Sequence, residues 1–312
     1  KIEWTVPPDK DSTVVAAVAN MRLQVPAGNT AAIPFSFYYG PTDYKILKKY
    51  DMKMEKLVRL SQGGMLAFVQ YLNKWIVMPV FDFFQKYNLG MGLVIALLTI
   101  FIRLLTSPLM YPGYKTSAQM KILKPDIAKL KEKYPDQQQF AMEQMKFMRE
   151  AGVNQFAGCL PSLLQIPIFF ALFSFFNSAV ALRGESFLWA KDLSSYDSIA
   201  NFGFDIPFYG DHVSLFTITA TITSFLISLY SMNMTPDQSN PVLKYMPYIF
   251  PVFLLFIFNK LPSALTWYYT VSNVITLLLQ FVIQRYVINH DKLLAKIELN
   301  RKKPKTKSKW QE

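Results

Sequence analysis

The chain has 312 residues, of which 52% are hydrophobic, 15% aromatic and only 17% charged, an apolar content above what a water-soluble domain of this size needs. A net charge of +12 would suit a nucleic-acid partner, but the basic residues are segregated between apolar blocks, as where Lys and Arg are retained on one side of a membrane. One cysteine, Cys159, excludes an internal disulfide, and no cysteine–histidine grouping has metal-ligand spacing.

The opening at Lys1, without an initiator methionine or a signal-like stretch, is expected of a fragment or a processed chain. Residues 1–43 have the texture of the end of a water-soluble β domain, with Met21, Leu23 and Val25 alternating and residues 33–39 strand-like before Gly40 and Pro41. Over 44–88, Met65, Phe68, Val69, Leu72 and Ile76 recur at helical spacing, which predicts an amphipathic helix lying in a membrane interface.

Five apolar stretches follow, near 89–110, 156–182, 213–233, 242–260 and 263–288, each close to the ~20 residues that cross a bilayer as a helix. The fold class is therefore read as an all-α integral membrane protein with five transmembrane helices. Pro161 and Pro167 in the second stretch, and Pro247 and Pro251 in the fourth, predict kinked helices whose freed carbonyls are satisfied by neighbours. Between the first two spans, 111–155 reads as a helical hairpin turning at Tyr134, Pro135 and Asp136, with Leu123, Ile127 and Leu130 on one stripe and Ala141, Met145 and Met148 on the other. The methionines suit either a docking surface or the seam of the hairpin itself. Residues 111–155 hold eight Lys or Arg and the tail from Arg285 holds nine, against Arg183 and Lys191 alone over 183–212. The basic segments mark the cytoplasmic side, so the hairpin and the tail of 291–312 are cytoplasmic and the N-terminal β segment is outside.

Polar groups inside the spans are the informative ones. Arg103 is embedded in apolar sequence, where insertion of Arg at a helix centre costs about 2.5–3.5 kcal/mol. It either snorkels to the cytoplasmic headgroups or faces a hydrated cavity. Thr99, Arg103 and Thr106 form one stripe, and Tyr269, Asn273, Thr276 and Gln280 form another. The second span carries Gln165, and the third carries Thr217, Thr221, Ser224, Ser228 and Ser231, a pattern that also serves close helix packing. No nucleophile has a base in sequence reach, and neither H-E-x-x-H, G-x-S-x-G nor a Gly-rich phosphate loop occurs. The sequence thus predicts no catalytic, cofactor-binding or metal-binding set, and Cys159 reads as a small core residue.

Residues 99–109 (TIFIRLLTSPL), the hairpin around 121–133, residues 158–172 (GCLPSLLQIPIFFAL) and residues 261–273 (LPSALTWYYTVSN) occur in an order that resembles the YidC-type membrane protein insertases of bacterial inner membranes. The resemblance spans residues 60–290. It implies a multi-pass inner-membrane insertase and chaperone with a five-helix core around a hydrophilic groove, open to cytoplasm and lipid and closed to the outside. It makes Arg103 the groove arginine, with Thr99 one turn before it, Tyr269 near incoming substrate helices and Gln165 at a polar groove position. Residues 1–40 then resemble the end of the periplasmic β domain that precedes the core in Gram-negative members. Implied partners are nascent membrane proteins, membrane lipids, the Sec translocon, and the ribosome or a targeting factor met by the hairpin and basic tail; anionic-lipid binding by the tail is the competing reading. A transporter or channel, or a structural assembly factor, are the rival functions. Five unequal spans without visible repeats speak against the transporter.

Overall fold

The computed structural model describes residues 2–5, 16–20, 36–50, 52–61, 63–64, 67–232 and 241–302. Met21, Leu23, Val25, Met65, the side chain of Cys159, and Lys303, Lys305, Lys307 and Lys309 of the tail lie outside the described set. The chain divides into two units, Lys1–Gly40 and Pro41–Glu312.

In the first unit β1 (Ile2–Thr5) runs antiparallel to β2 (Ala16–Ala19), with Ile2 opposite Ala19. The strand expected over 33–39 is not formed at 36–39, where the backbone is irregular.

The second unit begins with α1 (Tyr44–Lys48), whose first turn is capped by Asp43 accepting from the Lys45 and Ile46 amides. A 3-10 turn follows at Met54–Leu57. Then α2 (Val69–Leu72), a π turn (Asn73–Val77) and α3 (Met78–Gln85) run on without a break. The single amphipathic helix predicted over 44–88 is thus three pieces. Its inward face also differs: Val69, Asn73, Val77 and Phe81 are buried, while Phe68 of the predicted stripe is 51% exposed. A strict spacing of four drifts around a helix of 3.6 residues per turn; the wider π turn absorbs the drift and aims Asn73 inward. Asn73 Nδ2 there donates to the carbonyls of Leu60 (2.9 Å) and Ala171 (2.8 Å).

The predicted first span and the first arm of the hairpin are one helix, α4 (Met91–Lys133), running through Pro108, Pro112 and Pro125; at 43 residues it is about 65 Å long. Asp136 caps α5 (Gln137–Glu150), which folds back on α4. The remaining apolar stretches become α6 (Gln155–Ser178), α7 (Leu215–Met232), α8 (Pro241–Phe258) and α9 (Ser263–Val282), the last extended by a π turn at Ile283–Val287. Met91–Lys133, Leu215–Met232 and Ser263–Val287 are long and apolar enough to cross a membrane. The link between α6 and α7 holds an antiparallel hairpin, β3 (Ala200–Ile206) and β4 (Gly210–Val213), which amends the all-α reading. The tail is helical at first, as α10 (His290–Lys302).

The core lies where α3, α4, α6 and α9 meet, around Phe81, Val94, Leu98, Leu172, Phe176 and Tyr268. Gly92 is required here, because a Cβ on it would run into the Phe187 ring. Its carbonyl accepts from Trp267 Nε1 at 2.9 Å. Phe187, Trp189, Phe216 and Trp267 stack into an aromatic cluster over this end of the bundle.

At the far end, Leu123, Ile127, Phe140, Met148 and Ile297 form a second core that fastens α10 to the α4–α5 pair. Met148 therefore belongs to the seam, whereas Met145 is 54% exposed and lies outside it.

Candidate functional site: a buried arginine between three helices

Helix α9 packs against α4, α6 and α7, so its residues meet polar groups on several sides. Arg103, on α4, is only 8% exposed. Its Nε donates to Ser272 Oγ at 2.6 Å, and Nη2 points to the same oxygen. Among the described residues no carboxylate pairs with this guanidinium. A buried cation held by one neutral hydroxyl keeps most of its five donors available, an arrangement that is costly unless water or an anion supplies the rest.

The threonines contribute less polarity than their stripe suggests. Thr99, fully buried, donates to the Ile95 carbonyl (2.6 Å), Thr106 to that of Ile102 (2.9 Å), and Thr276 to that of Ser272 (2.8 Å). Each hydroxyl is taken up by its own helix one turn back. On α6, Gln165 lies near the Tyr269 hydroxyl, but its Nε2 is buried with no hydrogen-bond partner among the described residues. Tyr269 also stacks edge-on with Phe169 (5.8 Å) and lies 4.7 Å from the Phe258 ring. Arg103, Thr99, Gln165 and Tyr269 therefore gather where α4, α6 and α9 meet.

Asn273 is directed elsewhere. Its Nδ2 donates to the Ala220 carbonyl (3.2 Å), Thr223 Oγ1 (3.1 Å) and Ser224 Oγ (2.8 Å), fastening α9 to α7, with Thr219 and Thr270 in contact beside it (3.1 Å). Gln280 is buried one helical stretch further on. Nearby Gln284 accepts from the Tyr230 hydroxyl at 3.1 Å. Ser272, Thr223 and Gln284 were not singled out from sequence. Ser272 had a signal: it belongs to the same YYTVSN run and stands three residues after Tyr269, one helical turn away.

A family model described as 60Kd inner membrane protein matches residues 83–291. A protein of Porphyromonas gingivalis named membrane protein insertase YidC is 41% identical over 307 residues, covering 94% of this chain and 48% of its own length. One of the same name from Amoebophilus asiaticus is 42% identical over 303 residues, covering 96% of this chain and 49% of its own length. The chain thus spans about half the length of the curated relatives it matches. A crystal structure of an active YidC insertase with its first transmembrane domain resolved superposes with a TM-score of 0.51 at 28% identity, over 79% of this chain and 54% of that one. The family's region covers α4 to α9 and with them every residue of the buried site, and the chain belongs to the 60Kd inner membrane protein family.

Proposed function

We propose that this chain is the membrane-embedded part of a bacterial inner-membrane insertase, which receives transmembrane segments of newly made proteins in a hydrophilic groove and releases them into the bilayer. The observation that carries this reading is Arg103, buried at 8% exposure with Ser272 as its partner and, among the described residues, no carboxylate paired with it. A residue of that kind, 12 positions from the start of α4 and so about 18 Å along it, is accounted for by an incoming polar or acidic group and by the water that precedes it.

In this reading α6 and α8 cross the membrane along with α4, α7 and α9, giving five spans. The α4–α5 hairpin and α10 are cytoplasmic, and the Lys1–Gly40 unit is periplasmic. The aromatic cluster of Phe187, Trp189, Phe216 and Trp267 closes the outer end, so the groove opens inward and toward lipid. The polar tail or loop of a substrate rests against Arg103, Gln165 and Tyr269 while its apolar segment passes into lipid; the charge acts by transient pairing, without bond making. The hairpin with α10 and the basic tail is the surface offered to a ribosome or targeting factor, and the Sec translocon is a further partner.

The test is site-specific photocrosslinking from Tyr269 and Gln165 to a ribosome-stalled single-span substrate, with the exposed Phe253 of α8 as control. Crosslinks at the two site positions that change with nascent-chain length support the groove. Their absence while insertion still depends on the protein would favour a structural assembly factor.

A further inference from the structure

The end of the bundle away from the hairpin carries a second cationic surface, which the groove does not use. Residues 41–60 hold six Lys or Arg against three Asp or Glu. Lys45 is engaged with Asp82 at 2.5 Å. Lys48, Lys49, Lys53, Lys56 and Arg59 are exposed, Lys74 is partly so, and none of the six has an ion-pair partner among the described residues. In the orientation proposed above this surface lies outside the cytoplasm, where short loops are ordinarily poor in Lys and Arg.

Its position is fixed by bonds to the apolar helix α6. Ser178, the last residue of α6, donates to the Arg59 carbonyl at 3.0 Å, and Asn73 holds the Leu60 carbonyl. The ammonium groups of Lys48 and Lys74 lie 5.9 and 5.3 Å from the centre of the Tyr44 ring, which draws charges from α1 and the π turn to one place. Cations tied to the end of an apolar helix stand at headgroup depth. Next to them two aromatic residues of the α2–α3 stretch face outward: Trp75 is 75% exposed, and Tyr71, its ring 5.5 Å away, is 50% exposed. Water gains nothing from such a face, whereas amphipathic rings beside lysines suit the boundary between headgroups and acyl chains.

We propose that Lys48, Lys49, Lys53, Lys56, Arg59 and Lys74 form a binding surface for the phosphate headgroups of anionic phospholipids in the outer leaflet, with Tyr71 and Trp75 seated among the upper acyl carbons. The bound lipid anchors the α2–α3 helix, and through Asn73 the top of α6, at a set depth. This inference rests on the membrane placement given under Proposed function but not on insertase activity.

The experiment uses the full chain with Cys159→Ser and Met52→Cys, labelled with bimane at the exposed residue 52 and reconstituted into phosphatidylcholine vesicles. Quenching by phosphatidylglycerol with a doxyl group on carbon 5 is compared with quenching by the equally labelled phosphatidylcholine. Half-quenching is expected at an about fivefold lower mole fraction of the anionic lipid or less, the effect of a single basic group at an anionic surface, with the advantage shrinking at high salt. Replacing Lys48, Lys49, Lys53, Lys56 and Arg59 by Gln brings the ratio towards one. Replacing the four lysines by Arg, or Lys121, Lys124, Lys129, Lys131 and Lys133 of the hairpin arm by Gln, leaves it unchanged. Equal quenching by both lipids in the unsubstituted chain, or a preference that survives the Gln changes, overturns the proposal. A preference abolished by millimolar inorganic phosphate also overturns it, since the surface would then be a site for the free ion. Quenching by neither lipid overturns the membrane placement along with it, without bearing on whether the groove takes substrates.

Discussion

At the start of α7, Asp197 is 3% exposed and its carboxyl is engaged on all sides, accepting from Ser214 Oγ (2.5 Å), the amides of Leu215 (2.8 Å) and Phe216 (3.1 Å), and Trp189 Nε1 (2.9 Å). Beside it Asn259 donates to the Tyr209 and His212 carbonyls and accepts from the Ser214 amide, while His212 sits between Asp211 and the Asn259 carbonyl. The hydrogen bond from His212 holds the exposed Asp211 carboxyl below the usual range. Arg103 is buried to a similar degree in the middle of the bundle, yet it has one hydroxyl where Asp197 has four donors. Burial is similar and satisfaction is opposite. A polar network with every valence filled rigidifies the chain around it, whereas a buried charge left short of partners is a standing cost that only an arriving group repays.

The comparison breaks most sharply at Asp197. Asp197→Ala leaves four donors unanswered and is expected to lower stability by about 3 kcal/mol, read as a shift in the unfolding midpoint of the detergent-solubilised protein, with Asp197→Asn intermediate. Arg103→Met should do the reverse of what its burial suggests. Removing an unpaired charge leaves stability unchanged or raised, so a loss as large as that of Asp197→Ala would put Arg103 in the structural class. Arg103→Glu should lower insertion of substrates with acidic translocated tails by about tenfold, equivalent to roughly 1.4 kcal/mol, and spare neutral tails. Equal losses for both substrates in a reconstituted insertion assay would remove the electrostatic part of the mechanism.

The apolar helices were legible, three of them long and apolar enough to cross a membrane, because an apolar run of that length seldom forms anything but a helix. Arg103 was legible for the same reason, standing out against such a run. What was not legible depends on which way neighbours point. Ser272 and Asn273 are adjacent in sequence but about 100° apart on the helix, so one reaches Arg103 on α4 and the other reaches Ser224 on α7; a stripe drawn through Tyr269, Asn273, Thr276 and Gln280 merges the two. Periodicity also cannot tell a threonine that lines a groove from one that bonds its own helix, as Thr99, Thr106 and Thr276 do. The β3–β4 hairpin had a weak signal in the alternation of Phe202, Phe204 and Ile206, too short to stand out beside the apolar blocks. The inward aim of Asn73 within 44–88 is fixed by tertiary bonds to Leu60 and Ala171, which no local pattern encodes.

Between the two extremes lies Asn273, satisfied by three acceptors but within a membrane-length helix. Asn273→Ala is expected to cost about 1 kcal/mol, near the upper part of the range for interhelical bonds in bilayers, and to loosen α7 from α9 without altering the preference for acidic tails. A change in that preference, measured alongside Arg103→Glu, would mean that the α7 side of α9 belongs to the groove after all.

The smallest effect belongs to the clasp between α10 and the hairpin. Arg301 bonds Asp126 at 2.9 Å and lies 5.1 Å from the Phe147 ring, but the ion pair is well exposed, at 45% and 37% of its two side chains. Such a pair contributes about 0.5 kcal/mol and fades with salt. Ile297, 2% exposed in the core with Leu123, Ile127 and Phe140, does the main part of the holding. Arg301→Ala should therefore leave the amides around Ile297 protected in hydrogen exchange, with opening at most a few-fold faster at low salt. If that one substitution instead released α10 altogether, charge and not apolar burial would be what keeps the helix on the hairpin, and raising the salt on the unsubstituted protein would release it too.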